Sequence, residues 1–139
     1  MITGIYSFNI AVNDLKSAVD KYQDVFGVEP RYMGPDEFVV PNLEGYAFNI
    51  GGTIIHIIAS KTDDTSIANF VKKNGEGVFL VSMVVDDIEK EIPIMKEKGL
   101  KVVLDKNLKA KIGKVNFVHP KSMHGVQWEV LQLNDEYKK

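Results

Sequence analysis

Apolar residues recur with the spacing of a helix face in two stretches of the chain. The first stretch runs from about Asp14 to Phe26 and is followed by Gly27, a residue type that commonly ends helices. Its inward positions are Leu15, Ala18, Val19, Tyr22 and Phe26. The second stretch runs from about Asp87 to Lys98, and its inward positions are Ile88, Ile92 and Met95. The spacing predicts two amphipathic helices.

Short strand-like runs follow each predicted helix. The runs after the first helix cover residues 29–33, 46–50 and 53–59. The runs after the second helix cover residues 101–104, 114–119 and 126–133. Gly51-Gly52 predicts a tight hairpin turn in the first set, and a shorter helical pattern lies in the segment that connects the two sets.

The two halves of the chain repeat each other. Residues 9–15 and residues 82–88 both pass from an apolar strand into an Asn/Asp pair and then a helical pattern, at a shift of 73 residues. Asp86 and Glu89 also have the spacing of a capping box. A strand, a helix and three strands, written twice, predict an α+β fold of two tandem βαβββ modules in one domain. Its parts are module one at about 1–60, a connector at about 61–76 and module two at about 77–139.

Composition narrows the classes of function. The formal charge is −2 and the pI is about 5.9, so no basic excess indicates a nucleic acid or an anionic membrane as a partner. The chain has no cysteine, which excludes disulfides and thiolate chemistry and suits the cytoplasm. No apolar stretch approaches the length of a membrane span. We therefore expect a cytoplasmic protein whose partner is a small molecule.

Two polar residues interrupt apolar strands in the two modules. His56 lies among isoleucines, and Glu129 lies between Trp128 and Val130. The 73-residue shift relates His56 to Glu129, so the two could face one pocket as acid, base or metal ligands. The alternative is structural. A buried carboxylate needs a partner, and the two side chains could satisfy each other as an ion pair or a hydrogen bond.

Four more polar residues on the predicted strands are candidates for ligand contact. Ser7 and Asn9 lie on the same face of the opening strand, because alternate residues of a strand share a face. Asn116 and Gln127 are polar positions on the later strands of module two. Each could hydrogen-bond a ligand, and each is also common on a half-buried strand that has no function.

Several segments resemble one known family. They are NIAVNDL at 9–15, KYQDVFGV at 21–28, GEG at 75–77 with VDDI at 85–88, and VNFVHPKSMHGV at 115–126. They resemble the vicinal oxygen chelate superfamily of glyoxalases, bleomycin resistance proteins and extradiol dioxygenases, and are most similar to its methylmalonyl-CoA epimerases. The resemblance implies that the two modules form a glyoxalase-like, half-open barrel of eight strands. It also makes a homodimer the default expectation.

The resemblance implies a set of site residues as well. The family's four metal-ligand positions correspond to Ser7, His56, Leu80 and Glu129, and a glutamate that serves as one catalytic base aligns with Phe48. Leucine cannot ligate a metal, so two strong ligands remain, His56 and Glu129, and a divalent cofactor would bind weakly. Phe48 and Leu80 would then line a drier pocket, together with Ser7, Asn9, Asn116 and Gln127.

Two functions follow from these residues. The first is a glyoxalase- or epimerase-like protein that has a degenerate metal site and binds a small, partly apolar ligand, with an acyl thioester as one candidate. The alternative is an active metal-dependent isomerase or lyase, of the epimerase or lactoylglutathione lyase type, that uses His56 and Glu129. The replacement of expected polar groups by Ser7, Leu80 and Phe48 favours binding, or a changed chemistry, over ordinary epimerisation. The sequence leaves open whether the protein is an enzyme.

Overall fold

A computed structural model describes residues 1–138 and assigns them eight strands and three α-helices. In chain order they are β1 (Ile2–Ala11), α1 (Leu15–Phe26), β2 (Arg31–Met33), β3 (Leu43–Ile50), β4 (Thr53–Ser60), α2 (Ser66–Asn74), β5 (Gly77–Val85), α3 (Ile88–Glu97), β6 (Leu108–Lys109), β7 (Gly113–Val118) and β8 (Gln127–Leu133). The chain divides into two compact units. The N-terminal unit is Ser7–Phe79, and the C-terminal unit combines Met1–Tyr6 with residues 80–138, so β1 and β5 each contribute to both.

Side-chain caps fix where the two predicted helices begin. The Asp14 carboxylate accepts a hydrogen bond from Ser17 N at 3.1 Å, and α1 ends at Gly27 with a φ of 68°. The Asp87 carboxylate accepts from the backbone N–H groups at the start of α3. Both helices match their predicted bounds within one residue at each end.

The predicted capping box of Asp86 and Glu89 is wrong by one residue. Asp87 is the N-cap of α3, and Asp86 instead accepts a hydrogen bond from the Met1 amino group at 2.8 Å. The same amino group pairs with Glu91, a buried carboxylate of α3. From the sequence alone Asp86 and Asp87 are equally good N-cap candidates. In the structure Asp86 forms the ion pair with Met1, and Asp87 caps the helix.

In the N-terminal unit the strands are ordered β2-β3-β4-β1, with β4 parallel to β1 and antiparallel to β3. α1 packs against one face of this sheet, where its aromatic side chains meet Phe48 and Ile57. Phe48 is fully buried, and its ring centroid lies 5.5 Å from that of Phe26. α2 covers part of the opposite face, where Ile67 packs against Ile58.

In the C-terminal unit the strands are ordered β5-β8-β7-β6, with β8 parallel to β5 and antiparallel to β7. α3 packs against one face of them through its three predicted inward positions, Ile88, Ile92 and Met95. The sheet contributes Met83 and Val130 to this core. Each unit is thus built on a parallel strand pair with a helix on one face. The predicted α+β class and the two βαβββ modules are confirmed.

The predicted strand at residues 101–104 is wrong. Only Val102 in this segment forms a bridge, to Val118, and the strand on this edge of β7, opposite β8, is the two-residue β6. The Asn116 side chain explains the difference, because its amide bonds both the N–H and the C=O of Leu104, each at 3.1 Å. The backbone groups of Leu104 are therefore satisfied without a strand partner.

Truncation of Phe48 tests its place under α1. Phe48→Ala should lower the free energy of unfolding by about 3–5 kcal/mol, because it removes buried contacts and leaves a cavity. Val25→Ala, at an exposed position of α1, should change it by less than about 0.5 kcal/mol. Urea unfolding followed by circular dichroism measures both. A small effect at Phe48 would show that its ring does not support the core.

Candidate functional site

The register of β1 against β4 brings Asn9 beside His56 in the N-terminal unit. The Asn9 side-chain oxygen lies 2.9 Å from His56 Nδ1, and Asn9 Nδ2 donates to Ser7 Oγ at 3.1 Å. All three residues are buried, with exposed fractions of 1% for Ser7, 7% for Asn9 and 9% for His56. Three predicted site residues therefore form one hydrogen-bonded chain.

Burial makes the His56 imidazole hard to protonate. The loss of water around the ring lowers its pKa from 6.5 to about 4, and the positive charge of Arg31 adds to the effect while Glu37 opposes it. Arg31 and Glu37 also pair with each other at 2.8 Å. At neutral pH His56 is therefore an uncharged ring, with one nitrogen that donates and one that accepts.

The C-terminal unit repeats this arrangement with different side chains. Ser82 of β5 is in register with Glu129 of β8, and Ser82 Oγ donates to Glu129 Oε1 at 2.7 Å. Burial raises the pKa of the Glu129 carboxyl, and the hydrogen bond from Ser82 offsets part of that rise. Each unit therefore holds one titratable side chain on its last strand through a polar side chain on its first.

The observed contacts of His56 and Glu129 replace the mutual ion pair or hydrogen bond that the sequence offered as their structural role. His56 and Glu129 each have a hydrogen-bond partner within their own unit, so neither needs the other in order to be satisfied. Ser82 was not among the predicted site residues. The 73-residue shift that relates His56 to Glu129 also relates Asn9 to Ser82. The repeat could therefore have identified Ser82 as a site residue, whereas its residue type could not.

Phe48 lies on the face of its sheet that is turned away from His56. In the β3–β4 register Phe48 pairs with Ile55, whereas Ala47 pairs with His56. Cross-strand partners share a face and neighbours along a strand do not, so Phe48 points under α1. The prediction that Phe48 contacts a ligand is therefore corrected. The resemblance matched its position along the chain, which does not specify the face of the strand on which the side chain lies.

Asn116 is likewise on the face turned away from Glu129. It pairs with Val130 in the β7–β8 register, whereas Phe117 pairs with Glu129. Its side chain bonds the segment before β6, where it contacts both backbone groups of Leu104 and donates to Asn107 Oδ1 at 2.8 Å. Asn116 anchors a loop, which corrects its predicted role in ligand binding.

Leu80 and Gln127 share the face of Glu129. They are in register with each other, two residues before the pair of Ser82 and Glu129. Leu80 is buried, with 6% exposed, and Gln127 is half-buried. The carboxyl group of Glu129 therefore has an apolar residue and an amide on its own side of the sheet.

The face of β3 that His56 shares has no carboxylate. Its residues are Leu43, Gly45, Ala47 and Asn49. At Gly45 an added Cβ would lie 2.7 Å from the Ile57 carbonyl oxygen, closer than van der Waals contact allows. Position 45 therefore admits only glycine unless the backbone shifts.

Within residues 1–138, no group of three or more His, Cys, Asp or Glu side chains is placed to hold one ion. The neighbours of His56 in its own unit are an amide and a hydroxyl that bond each other, Asn9 and Ser7. Catalytic zinc sites usually have three protein ligands, and neither unit supplies them by itself.

Sequence comparison gives a consistent set of relatives. The profile of the glyoxalase/bleomycin resistance protein/dioxygenase superfamily matches residues 8–118. The mitochondrial methylmalonyl-CoA epimerase of Bos taurus is 32% identical over 129 residues, covering 88% of this chain and 70% of that protein. The mitochondrial methylmalonyl-CoA epimerase of Dictyostelium discoideum is 29% identical over 123 residues, covering 87% and 73% respectively.

Structure comparison agrees. A variant methylmalonyl-CoA epimerase of Streptomyces coelicolor, solved in complex with 2-nitronate-propionyl-CoA, superposes with a TM-score of 0.82 at 26% identity and covers 100% of both chains. The resemblance and the glyoxalase-like fold predicted from it are confirmed. In residues 1–138, none of the helices is both long and apolar enough to cross a membrane.

The low pKa of His56 predicts how stability depends on pH. As the pH falls below 6.5 the unfolded chain binds a proton at His56, whereas the folded protein resists protonation until about pH 4. The wild-type protein should therefore lose about 3 kcal/mol of unfolding free energy across this window because of His56, and His56→Gln should not. Urea unfolding of both proteins at several pH values measures the difference.

The comparison isolates His56, because Glu129 titrates in both proteins and works in the opposite direction. A raised carboxyl pKa stabilises the fold at low pH and loses that effect as the pH rises. The imidazole resonance that is absent from His56→Gln gives the pKa directly by NMR. A midpoint near 6.5 would show that the ring is not desolvated.

Proposed function

This chain belongs to the glyoxalase/bleomycin resistance protein/dioxygenase superfamily, and on that premise we propose that it binds a small, partly apolar acyl thioester at a metal site that has degenerated. The observation that carries the proposal is the pair of repeat-related hydrogen bonds, from Ser82 to Glu129 and between His56 and Asn9. These bonds orient His56 and Glu129 through protein partners, which is an arrangement that does not depend on an ion.

The surroundings of the two residues favour an uncharged, partly apolar portion of a ligand. On its face of the sheet His56 has Ala47 opposite it on β3, and isoleucines lie two residues away on β4. Glu129 has Leu80 on its face. A few oriented polar groups among apolar side chains are typical of small-molecule sites. A carbonyl group attached to a short hydrocarbon matches that pattern.

The relatives supply the class of ligand. Two are named as methylmalonyl-CoA epimerases, and the S. coelicolor structure contains an acyl-CoA analogue. We therefore favour an acyl group carried on coenzyme A. In its protonated form the Glu129 carboxyl would donate a hydrogen bond to the thioester carbonyl, and burial of the carboxyl favours that form.

The degenerate metal site is part of this proposal. Two of the four positions that the family uses for ligands are Ser7 and Leu80 in this chain. The Ser7 hydroxyl already accepts a hydrogen bond from Asn9, and leucine has no donor atom. The absence of a three-ligand group within residues 1–138 supports the same conclusion.

The alternative is an active metal-dependent isomerase or lyase of the epimerase or lactoylglutathione lyase type. One observation favours it: His56 and Glu129 occupy equivalent positions in the two repeats, and the relatives are epimerases. A homodimer and a cytoplasmic location stay predictions. Both relatives have the word mitochondrial in their names.

Binding of propionyl-CoA tests the ligand. Isothermal titration calorimetry should detect it with the wild-type protein, and His56→Ala and Glu129→Ala should each weaken it about tenfold, the effect of one lost net hydrogen bond. His124→Asn and Glu136→Gln change the same residue types at exposed positions and should leave the affinity unchanged. Equal affinity in all five proteins would contradict a role for His56 and Glu129.

Metal addition separates the two functions. Native mass spectrometry with added Co²⁺ or Zn²⁺ should show no stoichiometric adduct of the wild-type protein beyond that of the double variant His56→Ala/Glu129→Ala. Two protein ligands completed by water hold such ions weakly. An adduct that the double variant loses, together with epimerase activity in the presence of Co²⁺, would establish the alternative and end the proposal of a degenerate site.

A further inference from the structure

The hydrogen-bonded chain of Ser7, Asn9 and His56 determines which nitrogen of the imidazole carries the hydrogen. Asn9 Nδ2 donates to Ser7 Oγ, so the nitrogen of the amide is turned toward Ser7 and the oxygen toward His56 Nδ1. An amide oxygen only accepts, so Nδ1 must be the donor. A neutral ring has a single N–H, and Nε2 therefore keeps its lone pair.

We propose that Asn9 is a positioning residue that holds His56 in the Nδ1–H tautomer and thereby makes Nε2 the atom that accepts a hydrogen bond from the bound molecule. The role assigned to Nε2 rests on the proposed function, whereas the tautomer itself does not. A free neutral imidazole in water favours the Nε2–H form. The tautomer in the protein is thus imposed by the hydrogen bond to the other nitrogen.

The burial of Asn9 argues that this contact is specific. Asn9 is 7% exposed on the first strand of its unit, and an amide there is costly unless it is fully bonded. Its oxygen is used by His56 and its nitrogen by Ser7. In the observed orientation the amide satisfies both neighbours with Nδ1 as the donor and Ser7 Oγ as the acceptor, whereas a 180° turn would require Nδ1 to accept and Ser7 Oγ to donate.

The repeat supplies an independent parallel. Ser82 takes the position of Asn9 in the C-terminal unit and is fully buried. Its hydroxyl donates to Glu129, whereas the Asn9 side-chain oxygen accepts from His56. In both units the polar residue on the first strand stands in register with the titratable residue on the last. Two different solutions at equivalent positions indicate that orientation of the last-strand residue is the shared task.

The tautomer defines what the bound molecule should present to His56. An accepting Nε2 matches a hydrogen-bond donor, and it does not match a carbonyl oxygen. An acyl thioester of coenzyme A offers such donors, since its arm carries amide N–H groups.

Two-bond ¹H–¹⁵N NMR spectra of the histidine rings test the proposal in the unliganded protein. Protonated and lone-pair ring nitrogens have well-separated ¹⁵N shifts, and His56→Gln identifies the signals. The wild-type protein should show the Nδ1–H form. Asn9→Ala should shift the population to Nε2–H, whereas Asn9→Asp, whose carboxylate still accepts from Nδ1, should keep a proton on that nitrogen. Persistence of Nδ1–H in Asn9→Ala would overturn the proposal.

Two further measurements keep the outcomes distinct. Ser7→Ala removes the acceptor that fixes the Asn9 amide and should give a mixture of tautomers, even where Asn9→Ala does not fold. Propionyl-CoA should bind Asn9→Ala about tenfold more weakly than wild type, and Asn74→Ala, an exposed asparagine, should match wild type. If wild type does not bind propionyl-CoA, the proposed ligand is wrong and the spectra alone decide the tautomer.

Discussion

The register of the parallel strand pairs, β1 with β4 and β5 with β8, is the constraint on which both candidate sites depend. Side chains alternate between the two faces of a strand, so a slip of one residue would move every site residue to the other side. The helices prevent that slip. Phe48 and Ile57 lie under α1, and Val130 lies under α3, so the core face and the site face are fixed together.

The same constraint explains how polar groups persist inside these sheets. An uncharged imidazole and a carboxyl group with a raised pKa are tolerable in a dry setting only when their atoms are bonded. Within residues 1–138, every buried side-chain nitrogen and oxygen has a hydrogen-bond partner. Asn9 and Ser82 supply partners for His56 and Glu129, so they serve stability and orientation at once.

Sequence reasoning located the helices, the repeat and the two titratable residues, because each has a local signature. It counted Phe48, from the resemblance, and Asn116, from its polar side chain, among the ligand contacts, because the face of a residue depends on strand register, which neither signal contains. It also took residues 101–104 for a strand. The Asn116 amide, twelve residues away along the chain, bonds the N–H and C=O of Leu104 at the end of this segment, and no pattern within the segment itself reveals that contact.

The close approach at Gly45 limits what this protein could become. A carboxylate opposite Ile58, on the side of the sheet that His56 occupies, would need a Cβ where the Ile57 carbonyl oxygen already lies. A single substitution there would disrupt the strand pair before it could add any chemistry. An evolutionary route, or an engineered one, toward a second acidic group beside His56 would have to begin with a change in the backbone or start from another position, such as Ala47 or Asn49.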